Sequence, residues 1–140
     1  MAMLEILLTD LSKVDFYERT LSTIERVCED YGIEQHFGTL SMTNQMVCDF
    51  LEKTPNFTAD VSFQIDNDSV SFQYTLQSGD FESLSKSNEE NTALFVLQSL
   101  ADEISFSSDF DTLTTTFHVK TRFVVHRNKQ RVEVNNKIFR

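Results

Sequence analysis

Val61-Ser-Phe-Gln-Ile65, Asp66-Asn-Asp-Ser69 and Val70-Ser-Phe-Gln-Tyr-Thr-Leu76 stand one after another in the middle of the chain. In the first and third pieces, bulky apolar residues alternate with Ser, Gln and Thr, the period-2 signature of a strand with one buried and one wet face. The four polar residues between them are turn formers, so the stretch predicts a β-hairpin.

Two further pairs repeat the pattern. Ile104-Ser-Phe106 and Leu113-Thr-Thr-Thr-Phe-His-Val119 flank Ser108-Asp-Phe-Asp111, and Phe123-Val-Val125 and Val132-Glu-Val134 flank Arg127-Asn-Lys-Gln130. Residues 4 to 8 read as a short first strand.

Between these strands the period changes to that of a helix. Tyr17, Leu21, Ile24, Cys28 and Tyr31 recur at helical spacing behind Asp10 and Ser12, with Asp15 placed for a capping box, and Gly32 offers a left-handed stop. A second helix is expected over about 39 to 53, with Met46, Val47, Phe50 and Leu51 apolar; Thr54-Pro55 ends it, since a residue before proline is pushed out of the helical region. A third is expected over about 91 to 102, with Leu94, Phe95, Leu97, Leu100 and Ala101 apolar. Residues 77 to 90 show no sustained period and read as a long mobile loop. Strands with one wet face beside a few helices predict an α+β fold: a two-layer α/β sandwich with a mainly antiparallel mixed sheet, about three helices on one face and an added C-terminal β-hairpin.

The 140 residues suit one domain, with residues 120–140 as a basic extension of the body formed by 1–119. Seven basic residues from Lys120 onward, against Glu133 alone, leave that extension at +6 of a total of −10, so residues 1–119 carry −16. So acidic a body repels nucleic acid and anionic membranes, and neither is expected as a partner. The basic extension is expected to dock on the acidic body or on a second copy, the latter giving a homodimer. No apolar run approaches the roughly 18 residues that span a bilayer, and residues 1–10 are too short and too acidic for a signal peptide, so the cytoplasm is expected. Cys28 and Cys48 fall in helical patterns and read as buried thiols.

The order strand, helix, helix, hairpin, long loop, helix, hairpin resembles the compact ATPase domain of histidine kinases and bacterial anti-sigma-factor serine kinases. The segment Ala93-Leu-Phe-Val-Leu-Gln-Ser-Leu-Ala-Asp-Glu-Ile-Ser-Phe106 is similar to the closing helix and hairpin of the anti-sigma kinases, and the likeness covers about residues 4 to 119. The resemblance implies a nucleotide site, and each of its three motifs departs from the pattern. The second helix of that family supplies a Glu that activates water or orients the acceptor and, four residues on, an Asn that helps hold magnesium; Gln45 and Asp49 stand there. Gln45 accepts no proton, whereas Asp49 retains the ability to ligate a metal. Where the family reads adenine with an Asp and adjacent glycines, this chain has Leu76-Gln-Ser-Gly-Asp80, with Leu76 or Gln77 in place of the Asp and Gly79 and Asp80 following. Before the third helix, where the family has lid glycines, stand Ser87-Asn-Glu-Glu-Asn-Thr92. Asn91 belongs to that pocket, while Glu89 and Glu90 oppose phosphate at a helix start by about 1 kcal/mol.

The expectation is therefore a pseudo-ATPase rather than an enzyme: a regulatory protein-binding module of anti-sigma-kinase-like fold, acting in signal transduction or transcription regulation, with no cofactor and with a protein partner or itself as ligand. The alternatives are an ATP-binding serine kinase with divergent motifs, in which Mg-ATP is held by Asp49 with Gln45, Gln77, Gly79, Asp80 and Asn91 around it, and a small-ligand-binding sandwich. Cys28, His36 and Cys48 lack zinc spacing, Asp66-Asn-Asp68 lacks the glycine of a calcium loop, and His118 has no identifiable partner as a base.

Overall fold

A computed structural model describes residues 4–86 and 92–124. The elements run β1 (Leu4–Ser12), α1 (Lys13–Asp30), a 3-10 turn (Glu34–His36), α2 (Phe37–Glu52), β2 (Thr58–Ile65), β3 (Val70–Leu76), α3 (Ala93–Leu100), β4 (Glu103–Phe106) and β5 (Thr112–Phe117). The five strands form one sheet in the order β1-β2-β3-β5-β4, and every ladder is antiparallel. The α+β two-layer sandwich expected from the alternation is the fold of the described residues.

The central hairpin has the register its pattern implies. Phe63 faces Phe72 and Val61 faces Tyr74 across the ladder, and the turn is closed by the Asp66 N–H donating to the Ser69 carbonyl at 2.9 Å. Because the side-chain period is two, this register sends Val61, Phe63, Ile65, Val70, Phe72, Tyr74 and Leu76 to one face, where all seven are buried. Ring pairs run across this layer, with Phe72 5.2 Å from Phe63 and 5.4 Å from Phe117 between centroids. The other face carries hydroxyls and amides that satisfy one another across strands. Ser71 lies 3.0 Å from Thr116, Thr75 lies 3.2 Å from Thr112, and the Ser62 hydroxyl donates to the Glu5 carboxylate. Leu7 breaks the rule, being 54% exposed on this polar face opposite Ser62.

Strand β1 is longer than its apolar run of 4 to 8. A bulge between Leu8 and Leu11 puts Asp10 at φ 55, and its N–H donates to Asp60 Oδ1 at 2.9 Å. The extra residue returns Leu11 to the inner face, where it is buried. At the start of α1 the expected capping box takes another form. The Ser12 hydroxyl donates to the Asp15 carboxylate at 3.2 Å instead of accepting a helix N–H. Gly32 does supply the left-handed stop, at φ +67. The end of α2 is held from α1, because Lys13 Nζ donates to the carbonyls of Glu52 and Thr54 at 2.8 and 2.9 Å.

Residues 77–86 carry no helix or strand, but they are anchored. Phe81 and Leu84 are fully buried, the Phe81 N–H donates to the Phe110 carbonyl at 2.7 Å, and the Phe81 ring stacks on Phe50 of α2 at 5.8 Å. Two isolated apolar residues show no period, so the anchoring left no mark in the sequence pattern. Of the terminal hairpin expected over 120–140, residues 125–140 lie outside the described residues. Residues 118–124 form neither helix nor strand and run as a strap, in which the Thr121 N–H donates to the Asn67 carbonyl at 2.9 Å and those of Arg122 and Val124 donate to the Tyr31 and Asp30 carbonyls at 3.1 and 2.7 Å.

Candidate functional site

The residues singled out for a nucleotide pocket fall into two groups. Gln45 and Asp49 are one turn apart on the exposed side of α2, and the Gln45 amide donates to Asp49 Oδ1 at 2.7 Å. Gln77, Gly79 and Asp80 lie beyond the end of β3. The Gln77 amide donates to Asp60 Oδ1 at 3.1 Å and to Asp10 Oδ1 at 3.3 Å, Gly79 sits at φ +85, and Asp80 Oδ1 accepts the Glu82 N–H at 3.0 Å. The loop meets α2 through Phe50, which an ideal helix turns about 100° away from Asp49. Asn91, Glu89 and Glu90 lie outside the described residues. His118 has the partner that its spacing did not reveal: Nε2 lies 2.7 Å from Glu103 Oε2, on the exposed edge of the sheet. Among the described residues there is no group of three or more His, Cys, Asp or Glu placed to hold a metal ion, and no helix is long and apolar enough to cross a membrane.

Under the helices lies a polar network that the sequence pattern did not disclose. The Tyr74 hydroxyl donates to Asn44 Oδ1 at 2.9 Å, Asn44 Nδ2 donates to Thr20 Oγ1 at 2.8 Å, and Thr20 Oγ1 donates to the Phe16 carbonyl at 2.8 Å, all buried. The available signal was Asn44 itself, which shares a helical face with Leu40, Val47 and Leu51, where a polar side chain needs partners. Burial, with Cys48 beside it, pushes the Tyr74 phenol well above its ordinary value; burial also pushes the Cys48 thiol up to about 12. Both cysteines are free and buried. Thr115 Oγ1, also buried, has no hydrogen-bond partner among the described residues.

Among the described residues, a grooved surface lies between α1 and α2. Along α1, Tyr17, Leu21, Glu25 and Glu29 recur every four residues and so line one stripe. Opposite them stand Glu34 of the 3-10 turn and Phe37, Gly38, Ser41, Met42 and Gln45 of α2. The result is two hollows that meet at Phe37. One, of about 420 Å³, is walled by Tyr17, Leu21, Phe37, Met42 and neighbouring small and amide groups. The other, of about 310 Å³, is walled by Glu25, Glu29, Glu34 and Phe37 with Cys28 at its base. Tyr17 is 42% and Met42 54% exposed, large apolar groups left at the surface along the first hollow. In the second, burial and the neighbouring Glu34 carboxylate push the Cys28 thiol up to about 11, so it stays protonated and inert at neutral pH.

No protein-family model matches the chain, and no curated protein matches it significantly.

Proposed function

We propose that the chain is a regulatory protein-binding module on an ATPase-like scaffold with a degenerate nucleotide pocket, and that it holds a segment of a partner protein in the groove between α1 and α2. The observation that carries this reading is the division of that groove at Phe37 into an apolar half and an acidic half. Such a groove suits a segment with bulky apolar residues at one end and Lys or Arg at the other. Apolar burial supplies affinity, and the charge of −16 on residues 1–119 speeds encounter with a cationic segment.

Two features support a lapsed nucleotide site. Asp49, at the position that would help hold magnesium, accepts a hydrogen bond from the amide of Gln45, and Gln45, at the position of the family's Glu, is no base. Where the resemblance puts the adenine-reading Asp stand Leu76, which is buried, or Gln77, whose amide bridges Asp10 and Asp60. The scaffold remains while the groups that work on ATP are replaced.

The test is titration of the 140-residue chain against a fluorescent peptide carrying a Leu/Phe block followed by an Arg/Lys block, and separately against Mg-ATP. The peptide is expected to bind with Kd on the order of micromolar and at least about tenfold more weakly to Met42→Asp, about 1.4 kcal/mol. Micromolar binding of Mg-ATP abolished by Asp49→Ala, with the peptide ignored, would replace this reading with that of a divergent kinase.

A further inference from the structure

We infer that the hollow between the start of α2, the end of α3 and the end of β5 is a binding site for a small primary amine with a compact apolar body. This site stands apart from the partner groove and does not depend on it.

The hollow holds about 250 Å³, about eight water volumes, room for a ligand of roughly that many non-hydrogen atoms. Its apolar wall is formed by Leu40, Leu100, Phe117 and Val119, of which all but Leu100 are buried. Its polar wall is formed by His36, Thr39, Asp102 and His118. One side of α2 serves this hollow and the other serves the groove: at about 100° per residue, Thr39 and Leu40 lie opposite Phe37, Gly38, Ser41 and Met42. The ATPase resemblance places its site elsewhere. Phe117 pairs with Val70 at the start of β3, whereas Gln77 follows the end of that strand, about 20 Å further on.

The bonding of the polar wall selects the ligand. Asp102 Oδ2 accepts the His118 N–H at 2.6 Å, and His118 Nε2 is engaged by Glu103 at 2.7 Å. Asp102 Oδ1, the Thr39 hydroxyl and the His36 ring are left without a hydrogen-bond partner among the described residues. A carboxylate oxygen, a hydroxyl oxygen and the bare nitrogen of a neutral imidazole all accept hydrogen bonds, and a primary ammonium group donates three. The charge agrees in sign. The positive end of α2 and the negative end of α3 both border the hollow and offset each other, so the Asp102 carboxylate decides. The charge of −16 on residues 1–119 draws a cation in and opposes an anion. The cation is organic, because no group of three His, Cys, Asp or Glu among the described residues is placed to hold a metal ion. Its apolar body lies on the Phe117 ring and the aliphatic side chains beside it.

NMR titration of the 15N-labelled 140-residue chain tests the site with three probes: phenethylamine, ethylamine and phenylacetate. Phenethylamine should shift the amides of Leu40, Asp102 and His118 saturably, with Kd on the order of 0.1 to 1 mM, the range open to so small a ligand. Ethylamine, which keeps the charge and lacks the ring, and phenylacetate, which keeps the ring and reverses the charge, should each bind at least about tenfold more weakly. Ethylamine binding equally well reduces the effect to counterion attraction and overturns the inference. Equal binding of phenylacetate, or saturable shifts only outside the hollow, overturns it too. Asp102→Asn still accepts the His118 N–H through its amide oxygen and should weaken phenethylamine about tenfold at an unchanged urea midpoint. Thr39→Val, at an exposed position, should weaken it about threefold and serves if the first variant is destabilised. Native affinity in a folded Asp102→Asn chain, or in Thr39→Val where that chain does not fold, overturns the site.

Discussion

Tyr74 of β3 donates a 2.9 Å hydrogen bond from its hydroxyl to Oδ1 of Asn44 on α2, at the centre of the layer between sheet and helices. Asn44 passes the connection to Thr20 of α1 at 2.8 Å, so three elements far apart in the chain are tied by groups that have left water. Partners in such a chain are worth more than their number, because each unpaired member keeps its desolvation cost.

Tyr74→Phe removes only the hydroxyl and leaves Asn44 Oδ1 unpaired, at an expected cost of about 1–2 kcal/mol in stability. Asn44→Ala orphans the Tyr74 hydroxyl, leaves Thr20 Oγ1 donating to the Phe16 carbonyl but without its donor, and opens a cavity, for about 2–4 kcal/mol. Urea denaturation measures both. A Tyr74→Phe midpoint equal to that of the native chain would show that the network adds no stability.

Gly32 ends α1 at φ +67, and a Cβ there would lie 3.4 Å from both Arg122 Cγ and Val124 Cγ2 of the strap. Gly32→Ala is expected to cost about 1–2 kcal/mol from the left-handed backbone, with further loss where the strap must give way. Its signature is faster hydrogen exchange at the Val124 N–H. Gly38→Ala in α2, where a Cβ meets nothing within 4 Å, is expected to act in the opposite direction, stabilising by up to about 1 kcal/mol. Equal effects at the two positions would remove the strap from the explanation.

Alkali should unfold the protein sooner than acidity at its surface would suggest. Burial raises the Cys28 thiol from 9.0 to about 11 and the Cys48 thiol from 9.0 to about 12, and raises the Tyr74 phenol as well. The unfolded chain therefore releases these protons first. Stability is full below about pH 9 and declines as pH rises toward the folded values. The urea midpoint should be level from pH 7 to about 9 and fall from there to pH 12, with a shallower fall in Cys48→Ala. A midpoint unchanged up to pH 11 would contradict the burial of the thiols.

What the sequence determined by itself were the features set by near neighbours. The alternation over 61–65 and 70–76 sent Phe63, Phe72 and Tyr74 to one face; Gly32 stopped α1; Thr54-Pro55 stopped α2. Each follows from a repeat of two or about 3.6 residues or from one residue's allowed φ, quantities defined within a few positions of the chain. Tertiary structure alone decided the rest. Phe81 and Leu84 are buried although no period marks them, and Asn44 finds Tyr74 and Thr20 across two element boundaries. His118 meets Glu103 through strand pairing, and Glu34 joins Glu25 and Glu29 only because Gly32 turns the chain back beside α1. Those relations depend on how elements cross and which faces meet, and spacing along the chain carries no record of distance between elements.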